Sequence, residues 1–298
     1  MSPSCETLQL DGHDIAFKRA DKVLFPDCGF TKRDVLDHYL RAAPLMLPFL
    51  KGRALTLKRF PDGIGKAGFY QKSAPDYAPD WLKTASVKKR DGSRIDMVCA
   101  NNRAALAWLA GQGVIVFHAP LARADRPDRP DQMIFDLDPT EDFTPAVRRA
   151  ALTLNDILDE CGLRSFVKTT GSRGYHIVVP LRRDHDFDAV KAEAKRIACA
   201  LCDAMPDETT IEVRKAKRQG RIFIDTLRNE TAQTAVAPYS LRAREGAPVA
   251  VPLSWTQLRR DTVHPRQYTL KNLSRRLGQV DDPWADFFNS GNALSLSG

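Results

Sequence analysis

The segment that decides the fold is Gln132-Met133-Ile134-Phe135-Asp136-Leu137-Asp138-Pro139. Its closely spaced apolar residues predict a β-strand that stops at Pro139. Side chains alternate between the two faces of a strand, so Asp136 and Asp138 are expected to point the same way. Two neighbouring carboxylates repel each other, and a divalent cation such as Mg²⁺ or Mn²⁺ would remove that repulsion. A solvated strand end that leads into a turn is the alternative for so short a pattern.

Composition points to a globular protein without a membrane-spanning segment. The chain has 298 residues, of which 43% are hydrophobic and 28% charged, so it can form one large domain or two modest lobes. No apolar run of about 18 residues is present, and residues 1–6 lack the features of a secretory signal. We therefore expect a cytoplasmic protein. The net charge of +8 mildly favours an anionic partner.

The N-terminal region predicts a hairpin followed by a capped helix. Asp11 and Gly12 separate two short alternating runs, which is typical of a β-hairpin turn. Thr31 stands where it can cap the helix that follows. Lys22 and Lys32 flank this segment, and each is compatible with an ordinary surface lysine.

Aromatic and basic residues interleave after a predicted strand over 54–60. Lys58 lies in this strand, and three glycines then lead to Phe69 and Tyr70. Such a pattern suits stacking on nucleic-acid bases with phosphates held nearby. The alternative is a strand whose aromatic residues belong to the core and its rim.

A K-x-D-G-x-R pattern over 89–94 resembles the adenylated-lysine motif of DNA and RNA ligases. The later ligase motifs would follow in the wrong order, because Lys217 precedes Glu245. Arg90-Asp91-Gly92-Ser93 is also typical of a hairpin turn. We therefore interpret the pattern as a turn.

Two further segments carry candidate phosphate and metal ligands. Predicted strands over 166–180 bracket a glycine-rich turn whose backbone, with the side chains of Thr170, Ser172 and Arg173, can hold a polyphosphate. His176 begins the second strand, where it could donate to a phosphate oxygen. Residues 144–162 before the turn predict a helix that starts at Thr144-Pro145 and ends at Gly162.

A third carboxylate, Asp225, ends another predicted strand after a basic stretch over 214–221. Polar and basic residues follow within about twenty positions: Arg228, Asn229, Gln233, Arg242 and Arg244. Acids at strand ends with arginines downstream are the ingredients of metal-assisted nucleotidyl transfer.

The motifs together resemble one known family. They cover residues 136–139, 170–180, 225–229, 234–244 and 252–255. In this order they are similar to the polymerase domain of bacterial DNA ligase D, in the archaeo-eukaryotic primase superfamily. The resemblance runs from about Asp21 to Trp284.

The resemblance implies an α+β, two-lobed primase-polymerase fold, with an RRM-like antiparallel catalytic sheet packed beside an N-terminal α/β module. We expect one catalytic domain over 1–298, with an N-terminal module over 1–120, a catalytic module over 121–285 and a tail over 286–298. The polar tail suits either a free end or a linker within a longer ligase D.

The resemblance also implies template-directed addition of nucleotides, often ribonucleotides, to primer 3′ ends during non-homologous end joining. It implies two divalent cations, with Mn²⁺ preferred or Mg²⁺. The implied ligands are DNA that has breaks or gaps and carries a 5′-phosphate, together with NTP or dNTP. Ku and ligase or nuclease modules are candidate protein partners, and the implied location is the bacterial nucleoid. A primase that starts chains de novo and a weak binder of 5′-phosphorylated ends remain alternatives.

Individual residues match functional positions of that family. The implied metal carboxylates are Asp136, Asp138 and Asp225. The implied nucleotide contacts are Lys58, Thr170, Ser172, Arg173, His176, Arg228, Gln233, Arg242 and Arg244. The implied DNA contacts are Lys22 and Lys32 at a 5′-phosphate and the pair Phe69 and Tyr70 at the template. Tyr70 departs from a second phenylalanine, and Arg173 stands where lysine is common.

Overall fold

The computed structural model describes residues 5–89, 91–261 and 263–294, and its elements are numbered in chain order. The strands are β1 Cys5–Leu10, β2 His13–Lys18, β3 Val23–Phe25, β4 Phe30–Thr31, β5 Thr56–Arg59, β6 Phe69–Gln71, β7 Thr84–Lys88, β8 Arg94–Val98, β9 Val114–Pro120, β10 Gln132–Asp138, β11 Phe166–Thr169, β12 Tyr175–Pro180, β13 Thr209–Thr210, β14 Ile222–Asp225, β15 Thr234–Val236 and β16 Pro252–Leu253. The helices are α1 Lys32–Leu50, α2 Arg103–Gly111, α3 Pro145–Glu160, α4 Phe187–Ala204, α5 Trp255–Arg260 and α6 Leu273–Leu277. This mixture confirms the predicted α+β class.

The described chain forms two compact units that are discontinuous in sequence. Unit 1 holds the described residues up to Asp125 together with 234–250 and 268–280. Unit 2 holds 126–233, 251–267 and the described residues from Asp281 onward. The modules expected from the sequence, over 1–120 and 121–285, are each continuous instead. The reason for the difference is strand pairing, since β15 joins β9 in the sheet of unit 1.

Unit 2 is built on a six-stranded sheet in the order β13-β14-β10-β12-β11-β16. Its named strands pair antiparallel except for β13 with β14, which confirms the expected antiparallel sheet. The predicted strand at the centre is confirmed as β10, and its Met133, Phe135 and Leu137 are fully buried. Helices α3 and α4 pack against β10. The odd-numbered face of β10 is therefore core, which leaves the even-numbered face for polar chemistry.

Local sequence signals position the helices of unit 2. Helix α3 begins after Thr144 with Pro145 in its first turn and is followed by Gly162 at φ +70°, as predicted. Helix α4 begins at Phe187, because the Asp186 side chain accepts from the Ala189 N–H and caps it.

Unit 1 combines a four-stranded sheet, β15-β9-β5-β6, with helices α1 and α2. The predicted hairpin is confirmed as β1 and β2, and its turn residues Asp11 and Gly12 have φ of 50° and 80°. The Thr31 cap is also confirmed, since Thr31 and Asp34 form a reciprocal capping box.

The K-x-D-G-x-R segment is a hairpin, as interpreted from the sequence. Strands β7 and β8 pair with Lys88 opposite Arg94, and the Lys89 N–H donates to the Ser93 carbonyl at 2.8 Å. Arg90, predicted to open the turn, lies outside the described residues.

Helix α2 includes Gly111, and the left-handed residue beyond it is Gly113, at φ +76°. The segment interpreted as a polar tail contains Asn292, whose Nδ2 donates to the carbonyls of Arg164 and Pro180 at 3.0 and 2.8 Å. No helix among the described residues is long and apolar enough to cross a bilayer.

Candidate active site

Four ionisable side chains lie in one row across the sheet of unit 2. Asp136 on β10 is paired with His176 on β12 and with Asp225 on β14. His176 is paired in turn with Lys168 on β11. Residues directly opposite each other on paired strands share a face. Asp138 lies two residues beyond Asp136 and therefore shares that face as well. We call this surface, formed by Lys168, His176, Asp136, Asp138 and Asp225, the carboxylate face.

Asp136 is an enclosed carboxylate held in its charged form. Its side chain is 14% exposed, and its Oδ2 lies 3.4 Å from His176 Nε2 and 3.5 Å from Arg228 Nε. Burial opposes ionisation, but His176, Arg228 and Lys168 outweigh it and hold the pKa of Asp136 well below its usual range. Asp136 is therefore an anion at neutral pH.

His176 is neutral under the same conditions. Burial, together with the charges of Lys168 and Arg228, lowers the pKa of His176 to about 4, although Asp136 acts in the opposite direction. Its Nδ1 is buried and has no hydrogen-bond partner among the described residues. An unpaired buried polar atom is costly, so this nitrogen faces a position that a ligand or water atom would satisfy.

Asp225 is joined to Asp136 by an arginine. Arg228 Nε lies 3.4 Å from Asp225 Oδ2 and reaches Asp136 at nearly the same distance. Burial and the charges of Asp136 and Asp138 raise the pKa of Asp225, while Arg228 partly offsets them. A cation placed beside Asp225 would relieve this repulsion.

The buried Asn229 fixes the turn that carries Arg228. Its Oδ1 accepts from the Ile134 N–H at 2.8 Å, and its Nδ2 donates to the Ile134 carbonyl at 2.7 Å. The side-chain amide thus takes the place of a strand partner for β10. Leu227 N–H also donates to Asp225 Oδ1 at 2.8 Å, so the turn is anchored at both ends.

The glycine-rich turn between β11 and β12 is packed tightly against the end of β10. A Cβ at Gly174 would lie 1.7 Å from the Leu137 carbonyl oxygen, so only glycine fits this position. Within the turn, Thr170 Oγ1 donates to the Gly174 carbonyl at 3.0 Å and accepts from the Ser172 N–H at 3.2 Å. The turn is therefore held at a set distance from the carboxylates of β10.

Arg173 projects from this turn onto Asp138. Its Nη2 lies 3.0 Å from Asp138 Oδ1 and 3.4 Å from Oδ2, and its Nη1 donates to the Glu141 carbonyl at 3.1 Å. The structure thus brings together Asp136, Asp138 and Asp225 with His176, Arg173 and Arg228.

The residues present fit a hard divalent cation. Their donors are carboxylate oxygens, which suit Mg²⁺ and Mn²⁺. Burial, and after it the charges of Asp136 and Asp138, raise the pKa of Asp225, so a nearby cation would stabilise its ionised form. No group of three His, Cys, Asp or Glu side chains within the described ranges is already arranged to hold a metal ion. Arg173 and Arg228 engage the carboxylates instead.

Sequence reasoning missed Lys168 and the role of Asn229. Lys168 is 2% exposed and lies on the carboxylate face. A lysine inside an otherwise buried strand, with Phe166 and Val167 before it, was the available signal. The role of Asn229 depends on its contact with Ile134, 95 residues away, so no local pattern could show it.

Lys22 and Lys32 lie in one basic group in unit 1. Lys22 Nζ contacts Asp62 Oδ1 at 2.6 Å, whereas Lys32 Nζ donates to the Lys18 carbonyl at 2.7 Å and lies 4.9 Å from the Phe17 ring centroid. Burial, with the charges of Lys22 and Arg19, lowers the pKa of Lys32 to about 8. We call Arg19, Lys22 and Lys32 the cation cluster.

Phe69 and Tyr70 lie on β6, at the edge of the sheet of unit 1, and their side chains are 48% and 60% exposed. Arg59 lies 5.4 Å from the Phe69 ring centroid, and Lys58 Nζ lies 5.3 Å from that of Tyr70. The pair is therefore open to solvent and flanked by positive charge, unlike ordinary core aromatics.

The remaining predicted nucleotide contacts lie elsewhere along the chain. Lys58, Arg242 and Arg244 belong to unit 1, and Gln233 is in unit 2. The backbone before Arg242 is anchored at Tyr239, a buried residue with φ +63° whose carbonyl lies 2.9 Å from His38 Nε2.

Comparison with known proteins identifies the family. The model of the LigD primase-polymerase domain matches residues 31–284. The chain is 35% identical to the multifunctional non-homologous end joining protein LigD of Mycolicibacterium smegmatis, over 80% of this chain and 32% of the relative. It is 31% identical to the bifunctional LigD of Bacillus subtilis, over 95% of this chain and 46% of the relative.

The chain thus spans about a third to a half of the length of these relatives. Among solved structures, it is similar to the polymerase domain of Mycobacterium tuberculosis ligase D in complex with DNA, with a TM-score of 0.85 and 31% identity. That match covers 92% of this chain and 97% of the other. The chain therefore belongs to the family of LigD primase-polymerase domains, which are polymerases of the nucleotidyltransferase class.

Proposed function

We propose that this chain is a metal-dependent, template-directed nucleotidyltransferase that extends primer 3′ ends at DNA breaks and gaps in non-homologous end joining. The observation that carries the proposal is the strand register that sets Asp225, Asp136 and His176 side by side. Asp138 completes a set of three carboxylates at the same end of β10. Such a set is suited to phosphoryl chemistry and has no evident structural purpose.

Asp136, Asp138 and Asp225 would hold two divalent cations, with Mn²⁺ preferred over Mg²⁺ as the family resemblance implies. When bound, these cations would activate the attacking 3′-hydroxyl and stabilise the leaving pyrophosphate. Arg228 would then turn from the carboxylates toward the phosphates, since its Nε contacts lie at 3.4 and 3.5 Å, longer than strong hydrogen bonds.

The protein itself would bind and orient the nucleotide. The turn bearing Thr170, Ser172 and Arg173 would supply N–H, hydroxyl and guanidinium donors to the triphosphate. His176 is assigned to the triphosphate by the family resemblance. Its buried Nδ1 lacks a partner among the described residues, and donation from Nδ1 to a phosphate oxygen would require His176 to gain a proton when the nucleotide binds, because Nε2 faces Asp136. Gln233, Lys58, Arg242 and Arg244 are assigned to nucleotide binding by the family resemblance alone.

The DNA contacts would be divided between charge and stacking. The cation cluster would bind the downstream 5′-phosphate, because Lys32 is balanced by a neutral carbonyl and keeps positive charge for an anion. Phe69 and Tyr70 would stack on template bases. This cluster favours gap filling over de novo priming, which needs no downstream phosphate.

Ku and ligase or nuclease modules are the proposed protein partners, and the bacterial cytoplasm is the proposed location.

A primer-extension assay tests the proposal. Labelled primer on a gapped template with a 5′-phosphate, incubated with Mn²⁺ and either NTP or dNTP, should be extended according to the template base. A template without primer distinguishes the primase alternative, which would yield products there. Binding to 5′-phosphorylated DNA without extension of any primer would instead support the end-binding alternative and contradict the proposed activity.

A further inference from the structure

We propose that Arg173 couples metal binding to nucleotide binding: it occupies the carboxylate of Asp138 until a triphosphate draws the guanidinium away. The inference rests on the proposed polymerase function and adds a coupling role for one residue of that site. In this role, Arg173 makes the affinity for the divalent cation depend on the bound nucleotide, and the affinity for the nucleotide depend on the bound cation.

The first step is the geometry of the ion pair. Arg173 Nη2 lies within 3.4 Å of both oxygens of Asp138, while Nη1 donates to the Glu141 carbonyl. The guanidinium is thus held by two acceptors beyond its own turn. Arg228, in comparison, places a single Nε about midway between two carboxylates. On the carboxylate face, Asp138 therefore differs from Asp136 and Asp225 in that one arginine nitrogen lies close to both of its oxygens.

The second step is that the backbone of Arg173 is fixed while its side chain is not. Thr170 and Gly174 close the turn through a hydrogen bond, and the Gly174 backbone packs directly against the Leu137 carbonyl. The Arg173 side chain remains 34% exposed. A change of rotamer can therefore move the guanidinium away from Asp138 without moving β10.

The third step is competition for the same lone pairs. A cation needs carboxylate oxygens that the guanidinium now occupies, and arginine cannot yield them by losing its proton. A triphosphate offers the guanidinium an alternative anion with more oxygens. Release of Asp138 by the nucleotide would favour the cation, and thermodynamic reciprocity requires the cation to favour the nucleotide to the same extent.

The first experiment measures Mn²⁺ binding without nucleotide, through the paramagnetic resonance signal of free Mn²⁺. Arg173→Gln should bind Mn²⁺ about three- to tenfold more tightly than the unmodified protein, because a half-exposed ion pair no longer competes. Arg173→Lys should also bind more tightly, since an ammonium lacks the planar fork.

The matched control is Arg266→Gln. Arg266 Nη2 likewise lies 2.9 and 3.2 Å from both oxygens of a carboxylate, Asp142, in the same unit. Its substitution removes a comparable ion pair and the same charge, so it should leave Mn²⁺ affinity unchanged. An equal gain in Arg266→Gln would mean that net charge alone sets the affinity and would overturn the coupling role.

The second experiment measures binding of a fluorescent, nonhydrolysable nucleoside triphosphate in EDTA. Asp138→Ala should strengthen binding more in the unmodified background than in Arg173→Gln, because only the former has an arginine to release. Equal gains in the two backgrounds would contradict the inference.

The outcomes also separate the inference from the proposed function. If Asp136→Ala, Asp138→Ala and Asp225→Ala all leave Mn²⁺ binding unchanged, both the metal site and the inference are wrong. If these substitutions abolish Mn²⁺ binding while Arg173→Gln binds Mn²⁺ no more tightly than the unmodified protein, only the coupling role is overturned.

Discussion

The carboxylate face of unit 2 and the cation cluster of unit 1 carry opposite charges and are balanced by different kinds of partner. The carboxylates are engaged by full charges, from Arg173 and Arg228. Lys32 is balanced by a backbone carbonyl and an aromatic ring, whereas Lys22 has a carboxylate partner, the exposed Asp62.

This difference determines what each region can accept. Charged partners keep the pKa of Asp136 low, so its carboxylate stays ionised even though it is buried. Lys32 contacts a neutral carbonyl and so keeps positive charge for an anion, while burial, together with the charges of Lys22 and Arg19, lowers its pKa to about 8. The first region must exchange one cation for another, whereas the second can add an anion directly.

The largest effect is expected at the carboxylate face. Asp136→Ala, Asp138→Ala or Asp225→Ala should each reduce nucleotide addition by about a thousandfold or more, because the proposed two-metal site would lose a ligand. Single-turnover extension measures the effect, and circular dichroism checks the fold. Asp142→Ala, which removes an exposed carboxylate of the same unit, is the control and should retain activity. Near-normal extension by Asp136→Ala would disprove the metal assignment.

The next largest effect is expected at the cation cluster. The double substitution of Lys22→Ala and Lys32→Ala should weaken binding to 5′-phosphorylated gapped DNA by about tenfold or more, since charge-assisted contacts are removed. Binding to the 5′-hydroxyl form should hardly change, and the salt dependence on phosphorylated DNA should become shallower. Fluorescence anisotropy measures both. Lys51→Ala with Lys83→Ala removes the same charge elsewhere in unit 1 and serves as the control. Equal losses on both DNA forms would make these lysines general backbone contacts.

A smaller effect is expected at the exposed aromatic pair. Phe69→Ala should weaken binding to a template overhang by about fivefold, near the lower limit for one stacked base. Tyr70→Phe keeps the ring face and should change affinity by less than about twofold. Overhangs of abasic sites provide the control, because they offer no base to stack upon. A Phe69→Ala loss that is the same on abasic overhangs would argue for a structural role.

The smallest effect is expected from pH. Lys32 is protonated below its folded pKa of about 8, so the preference for a 5′-phosphate should fall by about threefold between pH 7 and pH 9. The phosphate itself has a second pKa of about 6 and keeps its charge over this range. A Lys32→Arg variant should show a flat profile. A wild-type profile that is also flat would contradict the pKa shift.

The lowered pKa of Lys32 has opposite effects on phosphate affinity and on the stability of the fold as the pH rises. The folded pKa of Lys32 lies below the ordinary lysine value of 10.5, so between about pH 8 and 10.5 the unfolded chain binds more protons. The contribution of Lys32 to the free energy of unfolding therefore rises with pH across this window, while phosphate affinity falls.

Much of the fold could be predicted from the sequence because its signals are local. A run of closely spaced apolar residues that stops at Pro139 identified β10, the Asp11-Gly12 pair identified the first hairpin, and Thr31 and Pro145 marked helix starts. That residues 234–250 belong to unit 1 could not be predicted in this way. The strand that joins them to the sheet, β15, contains three residues, and its partner β9 is distant in sequence.

By itself, the sequence determined which residues are candidates for the chemistry: the three aspartates, the glycine-rich turn and the arginines that follow. Residue type and spacing are enough for that, since they set the donors and the face on which neighbours lie. Only the tertiary structure decided that Asp136 meets Asp225 and His176, that Lys168 joins their row, and that Arg173 engages Asp138. The physical reason is that strand register and ion pairing depend on packing between distant segments, which no local pattern encodes.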